Sequence, residues 1–283
     1  MEKALLVFQT DFTYKEGAVP AMLGVVMSVD RDLRVFNATH EIPQYDIWSA
    51  SYRLVQYLPY WPAGTVFMSV VDPGVGTPRR PCAALTSGGH IVISPDNGTL
   101  THLAGWVGIR ELREIDTSRH RLPGSSGSHV FHGRDIFSYT AARLASGQIR
   151  WEEIGPAYRL EQAVLLPLVQ PVVSNGHAEG IFEIGDPNFG NLWSNISLAQ
   201  FEQAGFAYGQ QVRVQVRHHG EVKMDETLLF ERSFGYAKTG EALVYTNELL
   251  RVAVAVNQGS LMQTRDLGYG PHWQVSFSKP DSI

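Results

Sequence analysis

Five short segments of this sequence carry the residue types that bond chemistry needs. In Thr10-Asp11-Phe12 an acid follows a compact apolar run, and a carboxylate with two acceptor oxygens can take both hydroxyls of a diol such as a ribose. Glu16 follows at a helix start, where an acid also suits the helix dipole. The loop Val71-Asp72-Pro73-Gly74-Val75-Gly76-Thr77-Pro78-Arg79-Arg80 holds two glycines and two prolines, which fix a tight path and let backbone approach a ligand. It lacks the Gly-Lys-Ser/Thr ending of a phosphate loop. Read alone, it is a turn with a surface Asp–Arg pair. Phe131-His132-Gly133-Arg134-Asp135 opens an apparent helix over 136–144. A His at that position feels the positive dipole end, which favours the neutral imidazole that a general base requires. Residues 185–195, Gly-Asp-Pro-Asn-Phe-Gly-Asn-Leu-Trp-Ser-Asn, set an acid, amides and aromatics around two glycines. Such a loop can stack a flat ring and bond its edge, or be a polar turn. The fifth segment, 245–260, reads as a strand pair with polar ends and includes Asn257.

The elements that must position these residues alternate in the first part of the chain. Ala4 to Phe8 reads as a buried strand. Val19, Met22, Leu23, Val26 and Met27 recur at helical spacing, and residues 33–36 read as a strand. Ile47, Ala50, Leu54, Val55 and Leu58 make a second amphipathic helix, closed by Pro59 and Pro62. Strands over 65–71 and 90–94 follow. The alternation implies an α/β domain with a mainly parallel central sheet covered on both faces. Ligands in such sheets sit beyond the carboxyl ends of the strands, where Asp11, Asp72 and Asp96 all fall. After about residue 165 the segments become short, alternating and strand-like, as in Val212, Val214 and Val216 between Arg213, Gln215 and Arg217. The expected organisation is an α/β catalytic domain over 1–165, a Pro-containing linker over 166–175, and a smaller all-β, barrel-like domain over 176–283.

Composition narrows the classes. With 283 residues, 44% hydrophobic and 18% charged, the chain can build a packed core. Lys plus Arg number 23 against 28 Asp plus Glu, so the net charge of -5 argues against nucleic acid as a partner. The single cysteine, Cys82, excludes an internal disulfide framework and a multi-thiolate zinc site. His218-His219 has no carboxylate at ligand spacing, so no metal site is expected. The short apolar run at the start is no signal peptide, and no stretch has the length of a membrane span. A cytoplasmic protein without membrane contact is the expectation.

Together the five segments resemble the S-adenosylmethionine hydroxide adenosyltransferases, which are similar in fold to the fluorinase and chlorinase that use the same substrate. The carriers are TDF at 10–12, VVDPGVGTPRR at 70–80, SPDNG at 94–98, FHGRDIF at 131–137 and GDPNFGNLWSNI at 185–196. The resemblance implies hydrolysis of S-adenosylmethionine to adenosine and L-methionine, with no cofactor. It also implies a homotrimer with substrate held between neighbouring subunits. By resemblance the catalytic residues fall on Asp72, Arg79 and His132. The substrate-binding set is Asp11 at the ribose, Glu16 at the methionine amine and Tyr45 over the sugar, with Asp186, Phe189, Asn191 and Asn257 from the C-terminal segments. Three positions depart from the family pattern. Thr13 stands where Gly is usual, Glu16 where Asp is usual, and Asn247-Glu248-Leu249-Leu250 replaces Asn-Ser-x-Gly near the methionine carboxylate. Glu248 thus puts an acid where a hydroxyl donor is expected, and an acid repels a carboxylate. Two rivals are a halogenase, with chloride as nucleophile, and a non-catalytic binder of adenosine or S-adenosylmethionine. A halide carries no proton and needs no base, and Asp72 would repel it.

Overall fold

The structure, a computed structural model, describes residues 3–280, so the expected domain ends at residues 1 and 283 lie outside the described residues. Two compact units divide between Leu166 and Pro167. In the first, strand β1 (Leu6–Thr10) is buried along its whole length. Its side chains alternate between two cores. Leu6 and Phe8 join one with Val19, Met22 and Ile136, while Val7 joins the other with Leu54, Phe67 and Val92. Helix α1 (Ala18–Val29) buries Val19, Met22 and Val26 of its expected apolar stripe together with Val25, while Leu23 is part-buried and Met27 is exposed. Strand β2 (Val35–Thr39) begins two residues later than expected. Helix α2 (Ile47–Tyr57) is capped by Asp46, whose side chain accepts from the Ser49 amide. Strands β3 (Val66–Val70), β4 (Pro81–Thr86), β5 (Ile91–Pro95), β6 (Ile109–Glu114) and β7 (Ala157–Tyr158) complete the sheet.

The sheet order is β2-β1-β3-β5-β4-β6-β7. Its mainly parallel part, β2-β1-β3-β5, carries the three acids at its carboxyl ends. Strands β4, β6 and β7 add an antiparallel extension, and β4 and β6 had no clear signal in the sequence. The helix expected over 136–144 is a π-helical turn, Gly133–Ser138, running into α3 (Tyr139–Ala145). Such turns are frequent at functional sites because the wider winding re-aims side chains.

The second unit is a β-barrel. Its strands are β8 (Val172–Ser174), β9 (His177–Asp186), β10 (Asn191–Ser197), β11 (Gln211–His218), β12 (Glu221–Phe230), β13 (Ala242–Thr246), β14 (Arg251–Val256) and β15 (Trp273–Ser278). The order is β10-β14-β13-β12-β11-β15-β9-β8, and the additional β9–β10 pairing closes the barrel. Strand β8 lies within 166–175 and pairs with β9. Val212, Val214 and Val216 point into the core with Phe201, Phe230 and Phe277, as the alternation requires. Helices α4 (Leu198–Gln203) and α5 (Leu261–Arg265) are short and begin at the serine caps Ser197 and Ser260. Among the described residues no helix is long and apolar enough to cross a membrane.

Candidate active site

The loops leaving β3 and entering the Gly133–Ser138 turn bring Asp72, Arg79 and His132 together. Arg79 Nε donates to Asp72 Oδ1 at 2.9 Å, and Nη2 donates to Asp72 Oδ2. Nη2 also bonds His132 Nδ1 at 3.1 Å. The Asp–Arg pair is not a surface pair, since the side chains are only 5% and 10% exposed. Burial makes the bidentate geometry matter, because an isolated buried charge is costly. The guanidinium also lies 5.1 Å from the Phe137 ring centroid, a cation–π contact.

The hydrogen bonds settle the tautomer of His132. A guanidinium only donates, so Nδ1 accepts and the neutral ring carries its proton on Nε2. His132 Nε2 and Arg79 Nη1 are both buried, and neither has a hydrogen-bond partner among the described residues. Because Nδ1 faces the guanidinium, Nε2–H points away from it, so Arg79 Nη1 is the unpaired donor left on the guanidinium itself. Burial first, and then the Arg79 charge, pushes the His132 proton affinity below the ordinary 6.5, with Asp72 opposing. The neutral form is as expected, but the causes are desolvation and Arg79. Two glycines bring these loops to contact distance. A Cβ on Gly133 would lie 3.0 Å from the Phe12 ring. One on Gly76, whose φ is +77°, would lie 2.8 Å from the His129 carbonyl.

Asp11 sits just past β1, half-buried, and its Oδ2 accepts the Tyr45 amide at 2.9 Å. Burial raises its proton affinity, the Tyr45 N–H opposes, and the Asp72 charge raises it further. That electrostatic coupling ties Asp11 to the triad. Tyr45 is 62% exposed and has a φ of 66°, while Thr13 has a φ of 55°. Bulky and β-branched residues seldom take that conformation, so the backbone is strained on both sides of Asp11. At Thr13 the family's usual Gly would carry no such strain. His40, which sequence reasoning missed, is buried beneath this loop and bonds the Thr10 hydroxyl. Glu16 is exposed and accepts the Ala18 amide at 3.2 Å, so it braces the start of α1. Asp96 is a structural acid, engaged by Arg80, Tyr158 and the Val164 amide.

In the second unit, residues 185–195 form a hairpin turn followed by strand β10, and not one long loop. The Asp186 carboxylate accepts the Asn188 and Phe189 amides at 3.1 and 3.3 Å. Gly190 has a φ of +72° and packs against Ser260 so closely that a Cβ would overlap it. The strand signal was hidden by Asn191, Ser194 and Asn195, which are buried. Ser194 and Asn195 meet their polar needs inside the barrel, Ser194 on the Val252 carbonyl and Asn195 on the Ile181 amide. Phe189, Asn191, Phe234, Asn257 and Ser260 line a cleft of about 560 Å³. Phe189 is 63% exposed, a flat apolar surface beside amides that suits a heteroaromatic ring. The Asn257 side chain donates to the Ala237 carbonyl at 2.8 Å and thereby tethers the segment carrying Phe234. Tyr245 accepts from Trp193 Nε1 at 3.0 Å, with the Glu248 and Asp186 charges near enough to raise its proton affinity after burial has done most. Among the described residues no group of three or more His, Cys, Asp or Glu side chains is placed to hold a metal ion.

Comparison with known proteins agrees with this layout. The model of the SAM hydroxide adenosyltransferase N-terminal domain matches residues 6–155, and that of the C-terminal domain matches residues 182–274. The (R)-S-adenosyl-L-methionine hydrolase of Salinispora tropica is 36% identical over 255 residues, 89% of this chain and 90% of its own. The crystal structure of an uncharacterized conserved protein from Thermotoga maritima superposes with a TM-score of 0.85 at 29% identity, covering 97% of this chain and 100% of that one. A fluorinase from an Actinoplanes species is 25% identical over 290 residues, 94% of this chain and 95% of its own.

Proposed function

This chain belongs to the SAM hydroxide adenosyltransferase family, and from that premise we propose that it hydrolyses S-adenosyl-L-methionine to adenosine and L-methionine by in-line attack of hydroxide at C5′. The observation that carries the reading is the buried Asp72–Arg79–His132 constellation, in which Arg79 is fixed by Asp72 and His132 while its buried Nη1 is left without a partner among the described residues.

The sulfonium leaves as a neutral thioether, so no acid is needed. The demand falls on the nucleophile. With Nδ1 taken by Arg79 and its proton on Nε2, His132 has no free lone pair for the base role expected from its position, and it steadies Arg79 instead. Water bound at Arg79 loses its proton to solvent, and the Arg79 guanidinium holds the resulting hydroxide through Nη1. Asp72 fixes Arg79 through both carboxylate oxygens. Hydroxide attacks C5′ as the carbon–sulfur bond breaks, and the two opposite charges vanish together. A dry, preorganised site favours that step because bulk water stabilises the separated ions more. Asp11 takes the ribose hydroxyls with Tyr45 over the sugar. Phe189 and Asn191 meet the adenine, and Glu16 and Asp186 attract the methionine amine. Asn257 serves by holding the Phe234 segment.

The hydrolase relatives are named for the R configuration at sulfur, and we carry that epimer over as the preferred substrate. We also carry over a cytoplasmic homotrimer, working without a cofactor and with sites at subunit interfaces. Light scattering at graded concentrations tests the assembly. The function is tested by incubating purified protein with mixed epimers and resolving products by chromatography. Adenosine and methionine appear, with the R epimer consumed first. Release of 5′-chloro-5′-deoxyadenosine in chloride would establish the halogenase, and saturable binding without product would establish the binder.

A further inference from the structure

The loop that presents Asp11 is held from beneath by a histidine that the reaction does not use. His40 is 1% exposed at the end of β2. Its Nδ1 lies 2.7 Å from Thr10 Oγ1, and its Nε2 lies 3.0 Å from Asn37 Oδ1. The Thr10 hydroxyl accepts the Phe12 amide at 3.1 Å, so its own proton points to Nδ1. That leaves the ring proton on Nε2, donated to Asn37. The His40 carbonyl accepts the Thr13 amide at 2.8 Å, and the ring meets the Tyr14 edge at 4.9 Å. Every residue from Thr10 to Tyr14 except Asp11 is thus tied to His40 directly or through one hydroxyl. Asp11 itself is left to face outward, with Tyr45, from the loop that follows His40, bonded to its Oδ2.

We infer that His40 is a positioning residue for substrate binding: through the Thr10 hydroxyl it fixes the loop on which Asp11 meets the sugar diol. Burial keeps the ring neutral, with its proton affinity down to about 4, so Nδ1 is an acceptor throughout the working range. Two contacts leave the ring in opposite directions, and amide side chains separate them. Asn places its oxygen near the Nδ1 position and keeps the Thr10 contact. Gln places its nitrogen near the Nε2 position and keeps the Asn37 contact.

The role of His40 rests on that of Asp11, so Asp11→Asn is measured beside it. Steady-state adenosine release and thermal unfolding are recorded for His40→Asn, His40→Gln, Thr10→Val and the double variant Thr10→Val/His40→Gln. Expected is a KM raised roughly tenfold in His40→Gln and in Thr10→Val, the scale of one buried hydrogen bond. The kcat values stay within about threefold, the double variant is no worse than either single, and His40→Asn restores KM. Equal KM changes in the Asn and Gln variants, or additive effects in the double, would make His40 merely structural and overturn the inference. Thr10→Val carries the test if the His40 variants do not fold. An unchanged KM in Asp11→Asn would instead remove the diol assignment itself.

Discussion

Asp72→Asn removes one charge and keeps the shape. Asp72 takes two hydrogen bonds from Arg79, and the pair is 5% and 10% exposed. An asparagine accepts one of those bonds and turns an NH2 group toward the other donor. The guanidinium is left as a buried charge with half its partner. Breaking such a pair costs about 3–5 kcal/mol in the fully buried limit. The slight exposure reduces this to an expected stability loss of ~2–3 kcal/mol, enough to measure and too little to unfold a typical domain. In catalysis the loss is a less firmly held Arg79, the proposed donor to hydroxide. Removing one preorganised donor is worth roughly 100- to 1000-fold in kcat. The pH profile moves as well. Protonating His132 places N–H against N–H at Arg79, so activity falls as pH drops through the His132 proton affinity, which already lies below 6.5. Asp72 raises that affinity, so Asp72→Asn moves the acid limb to lower pH. Adenosine release by chromatography from acid to mildly alkaline pH, with circular dichroism to verify folding, reads both effects. A folded variant within about fivefold of wild-type turnover, or an acid limb moved upward, would refute the triad assignment.

Other outcomes follow from single residues. Leu250 is 64% exposed with a φ of 55°, where the family pattern has Gly, so Leu250→Gly should raise stability by about 1 kcal/mol in urea unfolding. His40 is depressed from 6.5 to about 4. The unfolded chain therefore binds its proton first, and stability is lost as pH falls from 6.5 toward 4, by up to ~3 kcal/mol. His40→Gln should flatten unfolding free energy against pH across that window. Glu248 is exposed and acts on Tyr245 beside Asn191, so Glu248→Ser should lower KM for S-adenosylmethionine roughly fivefold with kcat little changed, the scale of one screened like-charge contact.

Much of the first unit is legible in the sequence, because strands covered on both faces read as apolar runs and the acids follow them directly. The pattern puts Asp11, Asp72 and Asp96 alike at strand exits, but only packing separates their fates. Asp96 turns to Arg80 and Tyr158, whereas Asp72 turns to Arg79 and His132. Strands β4 and β6 leave little trace in the sequence because an antiparallel extension needs neither intervening helices nor strong apolar runs. Strand β10 was masked by asparagine and serine side chains whose partners lie on other strands. His40 had no signal at all: its partners Thr10 and Asn37 are brought to it by the β1–β2 pairing and a turn. The tautomer of His132, with Nδ1 accepting and the proton on Nε2, required the distance to Arg79.

The central claim is that solvent oxygen displaces methionine at C5′ of the nucleoside. Turnover in water enriched in heavy oxygen, followed by mass spectrometry of both products, tests it directly. One heavy atom in the adenosine 5′-hydroxyl and none in methionine is the predicted result. Adenosine without the label, or label found only in the methionine, would contradict it.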